Sequence, residues 1–178
     1  PYQAAGTPLA ADTTISAYAP VNLLHVLPNE LWDIPILLRL WLAGLFTYMF
    51  LRTHKTSRES AFTGAVLYML SGAFTWYISL DHLNVIILTP LLLLAVDRLV
   101  IRQKASDICL AGVVIMLSLL GAHIESIVLQ FILVLLYYAF RMFGSNVQVL
   151  LAQTFRFVLS FAMGFGLSAF FLLPVFEY

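Results

Sequence analysis

Apolar residues run in long blocks separated by short polar stretches. Blocks such as Leu91–Val96 and Ile127–Tyr138 lack the period-two alternation of half-buried strands. Six blocks stand out: Ile34–Leu51, Ala61–Ser79, Val85–Ile101, Ile108–Leu120, Ser126–Phe140 and Val149–Leu173. A bilayer core about 30 Å thick takes about 20 helical residues, which most of these blocks approach and the fourth falls short of. Backbone polar groups in lipid need partners inside their own segment, which selects helices. The pattern predicts an all-α polytopic transmembrane helix bundle of about six spans.

Residues 1–30 break this pattern. Pro1, Pro8, Pro20 and Pro28 recur with Gly6, Thr13, Thr14, Ser16 and Ala17, as in an irregular loop with short helical turns. The chain thus divides into an extracytoplasmic loop, 1–30, and a helical bundle, 31–178. Asn29 can cap the first span, with Glu30 and Asp33 near its positive N-terminal end and Trp32 as an interfacial anchor. The chain opens at Pro1 and stops at Tyr178 directly after an apolar run, as a piece of a longer membrane protein would.

Composition agrees. Of 178 residues, 62% are hydrophobic and 10% charged, against about 25% charged in soluble domains. That much apolar side chain needs lipid as its solvent and excludes disorder. Nine basic and nine acidic residues cancel, leaving no electrostatic footprint for nucleic acid. A single cysteine, Cys109, excludes disulfide frameworks and cysteine-based zinc sites.

Charge orients the chain. Arg52, Lys55, Arg58, Arg98, Arg102, Lys104, Arg141 and Arg156 fall in or beside links on one side, which the positive-inside rule makes cytoplasmic. Asp12, Glu30, Asp33, Asp81, Glu125 and Glu177 fall on the other, with His25, His82 and His123. The outer turns Leu80–Asn84 and Gly121–Ser126 are dense in ionisable groups.

Arg39 is the one basic residue outside that partition. A guanidinium within a span is costly and normally faces the protein interior, paired or functional. Its helical neighbours Pro35, Ile36, Leu42 and Ala43 cannot pair with it, and Asp33 points elsewhere. Its partner must come from another helix, such as Asp81 or Glu125, or from a ligand; a phosphate suits the planar fork. Asp81, His82 and Asn84 share one outer turn, and His123 and Glu125 another. A carboxylate beside an imidazole suits general base and orienter; it equally suits interfacial residues that satisfy helix ends. Neither spacing matches a metal motif, so no metal ligand is assigned, a divalent cation being the one cofactor left open. No P-loop, nucleophile elbow or HExxH is present. Pro90 after Thr89 either starts a helix or kinks one. Gly44, Gly64, Gly72, Gly164 and Gly166 permit close helix approach.

Together these residues resemble a known family. Gly6-Thr-Pro8, Tyr18-Ala-Pro20-Val-Asn22-Leu-Leu and Leu27-Pro28 are similar to the first outer loop of bacterial YfhO-family membrane proteins. So are Leu42-Ala-Gly44 through Phe50-Leu-Arg52, Ser57-Arg58, Gly64 with Tyr68, Leu70-Ser-Gly72, and Pro90-Leu-Leu-Leu-Leu with Arg98-Leu99. Gly121-Ala-His123-Ile-Glu125 resembles that family's Gly-x-His-x-(Glu/Gln) turn.

The resemblance implies a GT-C-like fold and a membrane glycosyltransferase. Its donor would be a polyprenyl-phosphate-linked sugar, and its acceptor a cell-envelope polymer or lipid on the extracytoplasmic face. In that fold a carboxylate just after the first transmembrane helix deprotonates the acceptor or holds a metal, and this stretch would precede Pro1. Asp12 lies later in the loop. Within the chain, Asp12, His123 and Glu125 are the catalytic candidates, and Arg39, Asp81, His82 and Asn84 the substrate-binding ones. The competing readings are a polytopic transporter or flippase, with Arg39 and the outer acids lining a path, and a non-catalytic assembly subunit.

The charge partition makes a topology prediction. Single cysteines in a Cys109→Ala background should react with an impermeant thiol reagent on intact cells at Asp81–Asn84 and His123–Glu125. They should be silent at Thr53–Arg58 and Arg102–Lys104. Labelling of Thr53–Arg58 would invert the orientation.

Overall fold

A computed structural model describes residues 2–3, 7–8, 18–26, 28–31, 33–77, 80, 82–121 and 123–177. Near the N-terminus, β1 (Tyr2–Gln3) and β2 (Thr7–Pro8) form a minimal antiparallel ladder. Short 3-10 turns cover Pro20–Val26 and Asn29–Leu31. All other regular structure described is α-helical, and the fold is an all-α bundle.

Helix α1 spans Asp33–Thr53, with Asp33 in its first turn and Arg52 in its last, both favourable to the helix dipole. A turn with Lys55 in the left-handed region (φ 59°) reverses the chain into α2, Arg58–Met69. There the Ser57 hydroxyl caps the new helix by accepting from Ser60 N–H at 3.1 Å. The apolar block 61–79 is not one helix. It stops at Leu70 and resumes as α3, Gly72–Trp76, with Ser71 at the N-cap. A cap-favouring serine followed by glycine is a poor pair for carrying a helix through.

The third block is divided too. Helix α4 covers His82–Ile86 and α5 covers Thr89–Arg102, with Pro90 in the first turn of α5. Proline has no N–H for the carbonyl four residues back, which is that of Ile86. The Tyr68 hydroxyl, from α2, donates to that carbonyl at 2.9 Å.

Helix α6 is Ala105–Leu120, α7 is Ile124–Met142, α8 is Val147–Leu167 and α9 is Ala169–Glu177. The Gln130 amide of α7 donates to Val85 carbonyl at 3.1 Å and to Thr89 Oγ1 at 3.2 Å, so α7 also secures the break before α5. Four stretches are long and apolar enough to cross a membrane: Asp33–Thr53, His82–Arg102, Ile124–Met142 and Val147–Leu167. The second is 61% buried inside the bundle, whereas the other three are only 22–28% buried. The α4–α5 stretch is therefore the internal one, and the others turn most of their apolar surface to the bilayer. It packs against α1, α6, α7 and α8 around Leu83, Leu92, Val96, Val114, Ile115 and Val134.

Glycine sets two of the helix contacts. A Cβ on Gly164 would lie 2.5 Å from Ile115 Cγ2 of α6, and one on Gly64 would lie 2.5 Å from Leu51 Cδ1 of α1. Gly72 and Gly166 have nothing within 4 Å, so close approach does not explain them.

The break before α5 gives a stability prediction. Tyr68→Phe keeps the ring against Phe74 but strands the Ile86 carbonyl, and should cost about 1–3 kcal/mol. Adding Pro90→Ala restores a backbone donor and should recover part of that loss. Denaturation in detergent measures both; an unchanged Tyr68→Phe would mean that the hydroxyl contributes nothing net.

Candidate functional site

Chain reversal gives the bundle two polar ends. The histidine-bearing end gathers the start of α1, α4 and the turn before α7. Arg39 lies two turns into α1 and is 3% exposed, as its apolar neighbours require. Its Nη2 donates to Asn22 Oδ1 at 2.6 Å, and Asn22 belongs to the 3-10 turn that packs on α1. The guanidinium thus holds an amide of the N-terminal segment, a partner that helical spacing within α1 could not supply. Tyr18, just upstream, meets Phe170 and Phe171 of α9 edge-on, fixing the same segment from its other side.

His82 opens α4 and stacks on Tyr77 with centroids 4.7 Å apart and planes 13° apart. Its other face meets His123, with centroids 3.3 Å apart. His123 is the residue before α7, and its Nδ1 lies 3.2 Å from Ser126 Oγ. The two turns are brought together by Gly121, whose added Cβ would sit 2.8 Å from Val85 Cγ2 and 3.5 Å from Asn84 Cβ. Any larger residue would push the turns apart.

Of the residues singled out in sequence, His82, Asn84 and His123 therefore converge. Glu125 lies on the first turn of α7 with an exposed side chain. Asp12 and Asp81 fall outside the described residues. Asn84 is 4% exposed, and among the described residues neither its Oδ1 nor its Nδ2 has a hydrogen-bond partner. Among the described residues no group of three His, Cys, Asp or Glu side chains gathers as a metal site. The arrangement offers a pair of closely apposed, tilted imidazoles for proton handling, a nearby exposed carboxylate, and a buried permanent cation.

The opposite end holds a network that sequence reasoning missed. Asp97 of α5 is 1% exposed. Its Oδ2 lies 2.9 Å from His54 Nε2, and its Oδ1 accepts from the Tyr137 hydroxyl at 2.9 Å. Arg141 Nε is also 2.9 Å from Oδ1, close in distance without the alignment of a hydrogen bond, so charge more than direction holds it there. The network ties the ends of α1, α5 and α7 together. A carboxylate inside the third apolar block was the available signal, since such a residue demands a partner.

Replacing that carboxylate with leucine leaves the Arg141 guanidinium and the His54 imidazole facing an apolar side chain. Asp97→Leu should destabilise the protein by about 2–3 kcal/mol, less than a fully buried pair because Arg141 and His54 reach solvent. Arg141→Met in the same chain should offset part of that loss, and thermal melts of the single and double variants measure the coupling. Strict additivity would mean that Asp97 and Arg141 do not interact.

A profile described as Bacterial membrane protein YfhO matches residues 19–177, from the segment that meets Arg39 to the last turn of α9. No curated protein and no solved structure matches the chain. With nearly its whole length covered, and with apolar helices fit for a bilayer, the chain belongs to the YfhO family of bacterial membrane proteins.

Proposed function

We propose that the chain is part of a multi-pass, GT-C-like membrane glycosyltransferase. It moves a sugar from a polyprenyl-phosphate donor to a cell-envelope acceptor on the extracytoplasmic face. The observation that carries this reading is Arg39, a guanidinium 3% exposed in an apolar helix at the histidine-bearing end. In the transfer, a base takes the proton of an acceptor hydroxyl as that oxygen bonds the anomeric carbon. The bond from that carbon to the phosphate oxygen breaks, and negative charge grows on the departing lipid phosphate. A fixed cation stabilises that charge more in the transition state than in the ground state. Arg39 has the geometry for this role, with Asn22 steadying one arm of its fork.

His82 and His123, with Asp81 and Asn84, border the sugar or acceptor. Glu125, two residues beyond His123 on the first turn of α7, would assist it as base, with Asp12 the other carboxylate candidate from the sequence. A transporter reading draws on one specific observation, the helix interruptions at Leu70–Ser71 and Ile87–Leu88, since broken helices often line translocation paths. Such a protein would move the lipid-linked sugar without breaking the sugar–phosphate bond.

The test uses the intact protein and a labelled polyprenyl-phosphate sugar. Arg39→Ala should lower transfer about 100-fold or more and weaken donor binding, and Arg39→Lys should keep part of both. Detergent stability is measured alongside. Unchanged donor affinity in a well-folded Arg39→Ala protein would remove the phosphate role. Donor movement across vesicles without product would favour transport.

A further inference from the structure

A groove runs along the exposed face of the α1–α2 hairpin, where Trp41 and Phe62 turn outward. Its deeper part, about 260 Å³, is walled by Trp41, Gly44 and Tyr48 of α1 and by Phe62, Val66 and Met69 of α2. An open hollow of about 420 Å³ continues it towards the basic end of the bundle, sharing Tyr48 and Phe62 and adding Arg58 and Glu59. We propose that this groove binds an anionic glycerophospholipid of the cytoplasmic leaflet. Its phosphate lies against Arg58 and Lys55, and one acyl chain follows the apolar walls.

Charge and depth select this occupant. Lys55 and Arg58 are exposed, and among the described residues neither has a carboxylate within ion-pair distance. Glu59 beside them is already engaged. Its own backbone N–H and the Ser57 hydroxyl, with Arg52 nearby, hold its carboxyl below the usual carboxylate range. Arg52, Lys55 and Arg58 therefore face Glu59 alone, and the mouth of the groove is net cationic. Arg58 is also the first residue of α2, where a cation opposes the helix dipole, so helix stability does not explain it. Helix α2, of 12 residues, rises about 18 Å from Arg58 to Met69. One leaflet of a bilayer core is about 15 Å deep, so a phosphate at Arg58 lets its acyl chain run the length of the groove. A free phosphate has no chain for those walls, and a phosphatidylcholine brings a second cation to a mouth that is already positive.

This inference stands apart from the transferase reading, because it concerns the basic end of the bundle and does not involve Arg39. The probes are phosphatidylglycerol and phosphatidylcholine brominated on the acyl chain. Each is diluted into vesicles of unlabelled phosphatidylcholine that hold the intact protein. Bromine quenches tryptophan on contact, and Trp32→Phe with Trp76→Phe leaves Trp41 of this chain as the reporter in the groove. Half-maximal quenching should need about 10- to 30-fold less phosphatidylglycerol than phosphatidylcholine, the effect of two basic residues at the membrane surface. Arg58→Gln should cut that preference about fivefold. Adding Lys55→Asn should abolish it, and asparagine tolerates the left-handed backbone there (φ 59°). Val66→Phe narrows the groove and should weaken quenching by both lipids.

Equal quenching of Trp41 by the two lipids would overturn the proposal. So would a preference that survives the combined Lys55→Asn and Arg58→Gln substitutions, or quenching that Val66→Phe leaves unchanged. A chain that keeps Trp76 alone is the control, since Trp76 ends α3 beside Tyr77, at the histidine-bearing end. It should show no preference between the lipids. The same preference at Trp76 would also overturn the proposal, by showing general enrichment of anionic lipid around the protein.

Discussion

The backbone interruption before Pro90 is the constraint on which the rest of the architecture hangs. In an apolar medium an unserved carbonyl has no water to turn to, so a break in a central helix must be repaired by side chains. Two neighbours supply the repair: Tyr68 reaches the Ile86 carbonyl from α2, and Gln130 reaches Val85 and Thr89 from α7. These bonds hold α2 and α7 against the same short stretch. Because the break comes early, His82 and Asn84 sit on a five-residue helix that can be aimed independently of α5. The turn before α7 then docks on them through Gly121, and the close contact of the two imidazoles follows.

Charge reinforces this frame at both ends. Helix α1 carries Arg39 near its start, and His54 follows directly after its end. One reaches to Asn22 of the N-terminal segment, the other to Asp97 of the central helix. Each contact lies where field lines are poorly screened, so each fixes register more firmly than a surface pair would. The ends nevertheless differ. Asp97 is met by an imidazole, a phenol and a guanidinium, an arrangement that closes on itself. The histidine-bearing end instead keeps an exposed carboxylate, Glu125, beside the imidazole pair.

How much of this could be read in sequence depends on the range of the physics involved. Apolar block length depends only on the chain and the bilayer thickness, which is why the helical bundle and the first apolar helix were legible. Thr89-Pro90 was legible as a helix start or a kink, and the structure makes it a start. The interruption at Ser71-Gly72 was masked by the apolar residues on either side, although a cap-forming serine followed by glycine was its local signature. Asn22 could not be matched to Arg39, because the two meet only when the N-terminal segment folds back on α1. Asp97 was overlooked because the residues that satisfy it are 40 to 44 positions away along the chain, at His54 on one side and Tyr137 and Arg141 on the other. The convergence of His82 with His123 required Gly121, whose role is the space that it leaves unfilled.

The unpaired amide of Asn84 is the feature that fold stability explains least. Natural bundles seldom keep a buried amide with neither end satisfied, since leucine would fill the same space without that cost. Gln130, buried to a similar degree, spends its donor on the break before α5 and leaves only its Oε1 unpaired among the described residues, and Ser118 bonds the Val114 carbonyl. Asn84 instead has both amide atoms sealed from the neighbouring cavity, at the point where the Gly121 turn docks on α4.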